Sequence, residues 1–460
     1  MIKIYRHFVP AETVYFIIVE AALIFVLSEL VLSLRMGEIG EYFHLTYTDS
    51  AMLSFVLMAT TLLSGLAAGL YRRDFGVGYG WVWTAVTAIG LSLGLGAVAI
   101  AVFDFIGGAP KATAGQWEFV VPLICAMGFV TMRRAAIAAG RHGLFRRRIL
   151  LIGDGTRAAE VSTSADALRS TVRIVQWLHF DGAQWMHQEL RDQWSPGRLR
   201  AEGIREAVIA VEDASDLPMD LLLQWKLNGI AVTDYATFWE REVGCISLDA
   251  FDPNWFVYGE GCSRGWLGWT IKRMLDIVIS FVLLVASAPL LLCVALLIRW
   301  ETPGPVLYRQ ERIGRYGKPF TLLKFRSMRL EAETAAPKWA QQNDPRVTRI
   351  GKLIRSTRID ELPQLVNVIL GHMSLIGPRP ERPFFVEQLR QEIPYYAERH
   401  VVRPGLTGWA QINYPYGAST DDARRKLEYD FYYLKNQSVL LDLYIMISTI
   451  RVILFREGSR

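Results

Sequence analysis

Asp360 and Glu361 are adjacent carboxylates that follow a run of cations: Arg346, Arg349, Lys352, Arg355 and Arg358. Two further cations, Lys324 and Arg326, lie upstream in Lys324-Phe325-Arg326-Ser327-Met328. Residues of these types suit phosphoryl transfer, in which a carboxylate attacks phosphorus while cations neutralise the charge developing on its oxygens. The carboxylates also suit a hard cation that keeps most of its waters and bridges to substrate phosphates, which describes Mg2+ better than zinc or calcium. By itself the basic series fits a lipid-headgroup-facing surface equally well. A helix N-cap at Asp360 and an exposed first-turn acid at Glu361 are the corresponding bland accounts.

The surrounding pattern favours chemistry. Pro363 is tolerated in a first helical turn, and Leu362, Leu365, Val366 and Ile369 repeat behind it at helical spacing, so the carboxylates are expected at a helix start. Free amides and the helix dipole there favour an anion and would keep Asp360 ionised. Two turns fixed by Pro and Gly, Gly377-Pro378-Arg379-Pro380-Glu381 and Arg403-Pro404-Gly405-Leu406-Thr407-Gly408, each present one arginine suited to phosphate oxygens. Lys426, Glu428 and Asp430 precede Phe431-Tyr432-Tyr433. The closing apolar segment, Val439 to Phe455, reads as an interfacial helix because it is short for a span.

Apolar segments dominate the first third of the chain, where Thr13 to Leu34, Ala51 to Leu70, Trp81 to Phe103 and the shorter Phe119 to Met132 predict four membrane spans. Glu20 and Glu29 in the first are nine residues apart and point to opposite faces, which speaks against a proton-relay pair. Arg133 and Arg134 are expected to snorkel to the interface at the end of the fourth. Lys3, Arg6, Arg72, Arg73, Arg133, Arg134 and Arg141 fall on one side, and Glu38, Glu41, Asp49 and Asp104 on the other, which puts both ends of the bundle in the cytoplasm. Three spans would strand Arg146-Arg147-Arg148 outside, so the charges favour four. No cleaved signal peptide is expected. A fifth apolar run, Ile277 to Ile298, has basic residues at both flanks and Pro289 near its middle. It is expected to bend at Ser287-Ala288-Pro289 and return to the same face as a re-entrant helical hairpin spanning 271–300, a straight fifth span being the alternative.

Between these membrane segments, Ile149 to Ile152, Ile174 to Leu178, Ala207 to Val211 and Ile230 to Thr233 read as strands of a small parallel α/β layer. Gly153 and Gly155 in Gly153-Asp154-Gly155-Thr156-Arg157-Ala158 match a GxGxxA nucleotide loop, yet no acid ends the second strand cleanly, Asp181 coming late. Nucleotide binding and a purely structural turn both remain open there.

With 460 residues, 52% hydrophobic and 21% charged, the chain exceeds one small binding module and is too apolar to be disordered. A net charge of +5 gives no footprint for a nucleic-acid partner, and four cysteines without metal spacing suit a reducing compartment. The expected division is a four-helix transmembrane domain at 1–140, a Rossmann-like α/β domain at 141–250, a linker at 251–268 and a mainly α catalytic domain at 269–460, together a multidomain membrane protein.

The run from Lys272 to Phe455 resembles the bacterial sugar transferase family, the polyprenyl-phosphate phosphoglycosyl transferases with one re-entrant membrane helix. The whole chain is similar to the large form with four N-terminal spans and a Rossmann-like domain. Pro380-Glu381-Arg382-Pro383, Ile393-Pro394-Tyr395-Tyr396 and Tyr414-Pro415-Tyr416-Gly417 resemble its exopolysaccharide-associated branch. The resemblance implies an inner-membrane enzyme, facing the cytoplasm, that moves hexose 1-phosphate from a UDP-sugar to undecaprenyl phosphate and releases UMP. It implies Asp360 as nucleophile, Glu361 as ligand to Mg2+, and Lys324, Arg326, Arg355, Arg379 and Asp430 around the phosphates. Homodimers and polysaccharide-assembly partners are compatible with it. His372 stands where the family usually has an acid, and Ala288 separates Ser287 from Pro289 where the family has Ser-Pro. The rival readings are a membrane glycosyltransferase releasing UDP, a catalytically silent nucleotide-sensing scaffold and, least favoured, a transporter.

Overall fold

The computed structural model describes residues 2–4, 7–9, 11–38, 47–71, 80–107, 117–141, 146–167, 172–179, 193–213, 217–251, 253, 261–262, 264–329, 346–415, 417 and 419–455. Arg6, Glu41, Arg72, Arg73, Asp181, Tyr416 and much of the 251–268 linker lie outside them. The chain divides into two compact units, Phe8–Ala250 and Phe251–Arg460, with the first residues shared between them.

In the first unit the four apolar segments form α1 (Ala11–Glu38), α2 (Tyr47–Ala68), α3 (Gly80–Gly107) and α4 (Trp117–Arg141). All four are long and apolar enough to cross a membrane. They pack around Ile24, Leu57, Ala88, Ile100, Cys125 and Phe129. Close approach depends on small residues: a Cβ added at Gly96 of α3 would lie 2.7 Å from the Pro122 ring of α4. The fourth helix continues well past Met132, and this changes the fate of Arg133. Instead of snorkelling it is buried, 3.5 Å from the buried Glu20 carboxylate, and its Nε donates to the Leu70 carbonyl at 3.0 Å. The Tyr71 hydroxyl donates to Glu20 at 2.7 Å, so one acid, one cation and one phenol meet across three elements.

The same unit holds a parallel sheet of β1 (Arg147–Ile152), β2 (Val172–Leu178), β3 (Ile204–Ile209) and β4 (Ala231–Asp234), in the order β2-β1-β3-β4. Leu150, Ile152, Leu199, Ile204, Ala207 and Trp225 form its core. Each fully buried large apolar side chain there contributes about 1.5–3 kcal/mol relative to exposure. Gly153 turns the chain out of β1 at φ +147°, where an added Cβ would collide with the Ala210 backbone. The Trp177 indole donates to the Gly153 carbonyl at 2.9 Å, and the Glu212 carboxylate lies 3.2 Å from the Cβ position of Gly155. Gly153 thus has a packing reason of its own, and the Glu212 carboxylate stands beside Gly155.

The second unit starts with α5 (Trp266–Glu301), a 36-residue helix that contains Pro289 without interruption. The helix stays continuous through Ser287-Ala288-Pro289, where the bend is expected, and Ser287 Oγ donates to the Leu283 carbonyl at 2.6 Å, a back-bond of the kind that accompanies helix bending. An antiparallel hairpin follows, β5 (Leu307–Ile313) with β6 (Pro319–Phe325), then α6 (Arg349–Ser356) and α7 (Gln364–Leu370). A short parallel pair, β7 (Ser374–Ile376) and β8 (Gly405–Thr407), brackets α8 (Pro383–Glu392). The chain then forms α9 (Thr420–Asn436) and α10 (Val439–Leu454). A Ser419–Asp422 capping box starts α9, whose Leu427, Phe431, Tyr432 and Tyr433 are core residues. One face of α10 is buried through Leu441, Ile445, Ser448 and Arg451, while Leu440, Leu443, Ile450 and Leu454 remain exposed.

Candidate active site

Asp360 and Glu361 lie on a 3-10 turn, Ile359–Glu361, with Leu362 and the N-cap Pro363 between them and α7. The expected helix start is therefore a separate tight turn ahead of the helix. Its direction is set by Arg358, a non-glycine residue at φ +59° that swings the chain out of α6. Such a backbone costs about 1–3 kcal/mol and persists only where surrounding contacts enforce it. Asn367 supplies part of that enforcement: its Oδ1 accepts from the Leu323 amide at 3.0 Å and its Nδ2 donates to the Thr321 carbonyl at 2.8 Å, stitching α7 to β6.

This stitching brings Lys324 on β6 against the dyad. Its Nζ donates to Glu361 Oε1 at 3.1 Å, and Arg379 Nη2 donates to the same oxygen at 2.7 Å. Arg358 Nη1 stands 3.8 Å from Glu361 Oε2. Burial pushes the Glu361 carboxyl up, but Arg379, Lys324 and Arg358 together outweigh it and hold the group well below the usual carboxylate range. Asp360 is equally buried, at 8% exposure, yet accepts no hydrogen bond from a described residue. Burial, then the Glu361 charge, push its carboxyl up to about 6, against Lys324, Arg355 and Arg358. The expectation that helix-start amides favour its ionised form is thus opposed by desolvation and a like charge, and the ionised form still predominates at pH 7. One carboxylate is tied to cations; its neighbour is ionised and uncommitted.

Arg355, on the last turn of α6, contributes charge near Asp360. Two residues expected beside phosphates are placed elsewhere. Arg326 donates to the Thr302 carbonyl and hydroxyl at 2.7 and 2.8 Å and to the Pro303 carbonyl at 2.9 Å, securing the turn after α5. The hairpin ladder ends at Phe325, so Arg326 no longer follows the strand alternation that aims Lys324 at the dyad. Asp430 is buried at 1% exposure and pairs with Arg399 at 2.8 Å, and Arg399 in turn donates to the Arg379 carbonyl at 3.2 Å. Asp430 therefore positions the Arg379 turn through an intermediary. Replacing it by Asn leaves a buried guanidinium uncompensated, and Asp430→Asn is expected to cost roughly 3–5 kcal/mol of stability. A thermal melt in detergent checks this; an unchanged melt would mean that the pair is not needed to hold the turn.

Arg399, Arg312 and Asn367 carry no site assignment from sequence, and Arg358 stands there only as one of the basic series. Arg312 on β5 donates to the Pro380 carbonyl at 3.0 Å and lies 3.6 Å from Glu381, fixing the far side of the Arg379 turn. The lone amide of Asn367 in an otherwise apolar Leu365-Val366-Asn367-Val368-Ile369 helix was the available signal. His372 is exposed, and its ring lies 6.1 Å from that of Phe320.

Among the described residues no group of three or more His, Cys, Asp or Glu side chains could enclose a metal. A divalent ion held here would rest on the two carboxylates, with water and substrate oxygens completing its shell, as Mg2+ accepts. The uncommitted Asp360 oxygens and the loosely contacted Glu361 Oε2 fit that requirement.

The family described as "Bacterial sugar transferase" matches residues 267–456. The chain is similar, at 51% identity over 41% of its length and 45% of the relative's, to a UDP-N-acetylgalactosamine-undecaprenyl-phosphate N-acetylgalactosaminephosphotransferase of Aeromonas hydrophila. It is 34% identical to an undecaprenyl-phosphate glucose phosphotransferase of Komagataeibacter xylinus over 68% of this chain and 60% of that one. An exopolysaccharide production protein of Rhizobium leguminosarum bv. phaseoli is 42% identical over 39% of this chain and 93% of its own. The match thus spans less than half of the Aeromonas protein and somewhat over half of the Komagataeibacter one.

Proposed function

The chain belongs to the bacterial sugar transferase family, and on that premise we propose that it transfers hexose 1-phosphate from a UDP-sugar to undecaprenyl phosphate by way of an aspartyl-phosphosugar intermediate. In the first step an Asp360 oxygen attacks the β-phosphorus of the donor, the bond to the bridging oxygen breaks, and UMP leaves. In the second a phosphate oxygen of undecaprenyl phosphate attacks the same phosphorus, which restores Asp360 and yields the lipid diphosphate sugar. The observation that carries this reading is the division of labour in the dyad: Glu361 is fastened by Lys324 and Arg379, while Asp360 is buried and accepts no hydrogen bond from a described residue. A nucleophile must keep its lone pairs for the substrate, and anchored cations must already stand where charge will develop.

Glu361 would hold Mg2+, which supplies charge neutralisation on the transferring phosphoryl group. Lys324, Arg355, Arg358 and Arg379 contribute the same kind of charge from the protein. The first step is expected inside the cytoplasm, at the headgroup plane. Support comes from the long helix of the second unit, whose exposed middle is apolar while both ends dock on catalytic elements. Arg273 near its start donates to the Val368 and Ile369 carbonyls of α7 at 2.6 and 2.7 Å. Ile298 near its end packs with Phe325 and Ile354. A straight helix would separate Arg273 from Ile298 by about 38 Å, whereas α7 and β6 are hydrogen-bonded neighbours. A bend at Pro289 that returns the helix to one membrane face reconciles these contacts.

The relatives' names differ in the sugar, so the hexose is left to experiment, and the exopolysaccharide role follows the Rhizobium relative. Purified protein with undecaprenyl phosphate, Mg2+ and a panel of UDP-hexoses is expected to release UMP with at least one donor. Release of UDP instead would assign a glycosyltransferase that leaves no phosphate on the lipid. Absence of either nucleotide, with nucleotide bound by the α/β layer, would favour the silent scaffold.

A further inference from the structure

The α/β layer of the first unit carries its charge unevenly between the two ends of its strands. Arg148 on β1, Arg173 on β2 and Arg205 on β3 are each the second residue of their strand, and all three are exposed. Helices in a parallel layer run back against the strands, so their last turns reach the same edge. The helix Pro196–Ala201 brings Arg198 and Arg200 there, and the helix Met219–Leu227 brings Lys226. The opposite edge is acidic: Asp154 follows β1, Glu212 and Asp213 follow β3, Asp220 opens the helix Met219–Leu227 and Asp234 ends β4. Arg157 at that edge donates to the Val211 and Glu212 carbonyls at 3.0 and 3.4 Å.

Part of the basic edge is structural. Arg147 is answered by Glu206 at 3.3 Å and Glu242 at 2.5 Å, and Arg198 by Glu202 at 3.1 Å. Arg148, Arg173, Arg200, Arg205 and Lys226 make no ion pair with a described residue. Arg148 and Arg200 each give one nitrogen to a backbone carbonyl, of Glu202 and Asn228. Helix dipoles favour cations in last turns, which accounts for Arg200 and Lys226 without a partner. They do not account for the three strand arginines, because a sheet has only a small net dipole. Arg148 and Arg173 are moreover direct partners across the β1–β2 pair. Like charges so placed cost stability unless an outside anion joins them.

The chain itself says which anion is nearest. The membrane helix α4 ends at Arg141 and β1 begins at Arg147. Six residues of fully extended chain hold the start of β1 within about 20 Å of the end of α4. The edge nearest the bilayer is therefore the basic one, and the acidic edge lies a strand's length further along. We propose that Arg148, Arg173, Arg200, Arg205 and Lys226 form a contact surface for anionic phospholipid headgroups on the leaflet from which α4 emerges, the cytoplasmic one by its flanking arginines. Attraction at this edge and repulsion of Asp154, Glu212 and Asp213 at the other stand the strands upright on the membrane. Planar guanidiniums with free donors match the phosphodiester oxygens of such lipids.

The contact can be read without a nucleotide sugar, so it stands or falls separately from the transfer reaction. Full-length protein would be placed in nanodiscs of phosphatidylcholine alone or with one part in three of phosphatidylglycerol, and amide hydrogen exchange followed by mass spectrometry. Peptides covering 172–176 and 198–206 are expected to exchange about fivefold slower or more in the anionic discs, the effect of even one cation held near such a leaflet. Peptides covering 153–157 and 211–213, at the acidic edge, should be unchanged. The triple variant Arg148→Gln, Arg173→Gln, Arg205→Gln should lose the slowing, and 0.5 M salt should abolish it in wild type, because the charges are exposed. Equal exchange in the two lipids, or slowing that survives the triple variant at a matched thermal melt, overturns the proposal. Should the triple variant fail to fold, the salt series alone decides, and slowing that persists in 0.5 M salt overturns it. Protection of the basic edge by a short single-stranded oligonucleotide, with none from phosphatidylglycerol, would assign the surface to nucleic acid and overturn its lipid character.

Discussion

Asp360→Asn is expected to lower UMP release by at least about 10⁴-fold while leaving the fold intact, because an amide of the same shape has no charge with which to attack phosphorus. The surroundings make the substitution a sharp probe. Glu361 keeps its contacts with Lys324 and Arg379 whichever residue occupies position 360, and Asp360 accepts no hydrogen bond from a described residue that the amide could disrupt. Removing the Asp360 carboxylate also removes the like charge beside Glu361, so stability should hold or rise slightly. Two readouts separate a chemical from a structural role. Intact-protein mass after incubation with donor alone should show a hexose-phosphate adduct on wild type and none on the variant. A variant that releases UMP at the wild-type rate, or still carries the adduct, would move the nucleophile to another residue.

Glu361→Gln is expected to reduce the rate by about 10²- to 10³-fold, the range for losing one preorganised electrostatic contact. Its carboxylate lies within 3.1 Å of Lys324 Nζ and 2.7 Å of Arg379 Nη2, with Arg358 at 3.8 Å. Taking away that charge leaves three cations facing Asp360 alone, and the pull should draw Lys324 and Arg379 onto the nucleophile, tying up the lone pairs that attack. If Glu361 also holds Mg2+, the concentration of Mg2+ for half-maximal rate should rise about tenfold with the loss of one anionic ligand. A rate loss with an unchanged Mg2+ requirement would assign Glu361 to anchoring cations only. Wild-type rates with wild-type Mg2+ dependence would remove it from the site.

Legibility from sequence followed how local each signal is. The four apolar segments and the four parallel strands are periodic over their own lengths, and both sets occur within a few residues of their expected bounds. The fourth helix was cut short because Pro122 and the Arg133-Arg134 pair resemble boundaries, whereas buried Glu20 supplies the partner that lets Arg133 stay inside. That partner is over a hundred residues away, and no periodicity carries it. GxGxxA was equally local and less informative, since the passing Ala210 backbone requires a glycine at 153 with or without a nucleotide.

At the dyad, sequence by itself determined the chemistry available: adjacent carboxylates, their cationic company, and motif arginines on rigid turns, enough to recognise the family. Tertiary structure decided which cations converge. Lys324 reaches Glu361 and Arg326, two positions later, does not; Asp430 serves Arg399, an arginine without a motif to advertise it. The physical reason is that a residue's type and local spacing set what its side chain can donate or accept, but the partner it meets is chosen by chain crossings such as the Asn367 clamp between α7 and β6. A shift of one residue at such a crossing redirects a guanidinium from a substrate to a helix end.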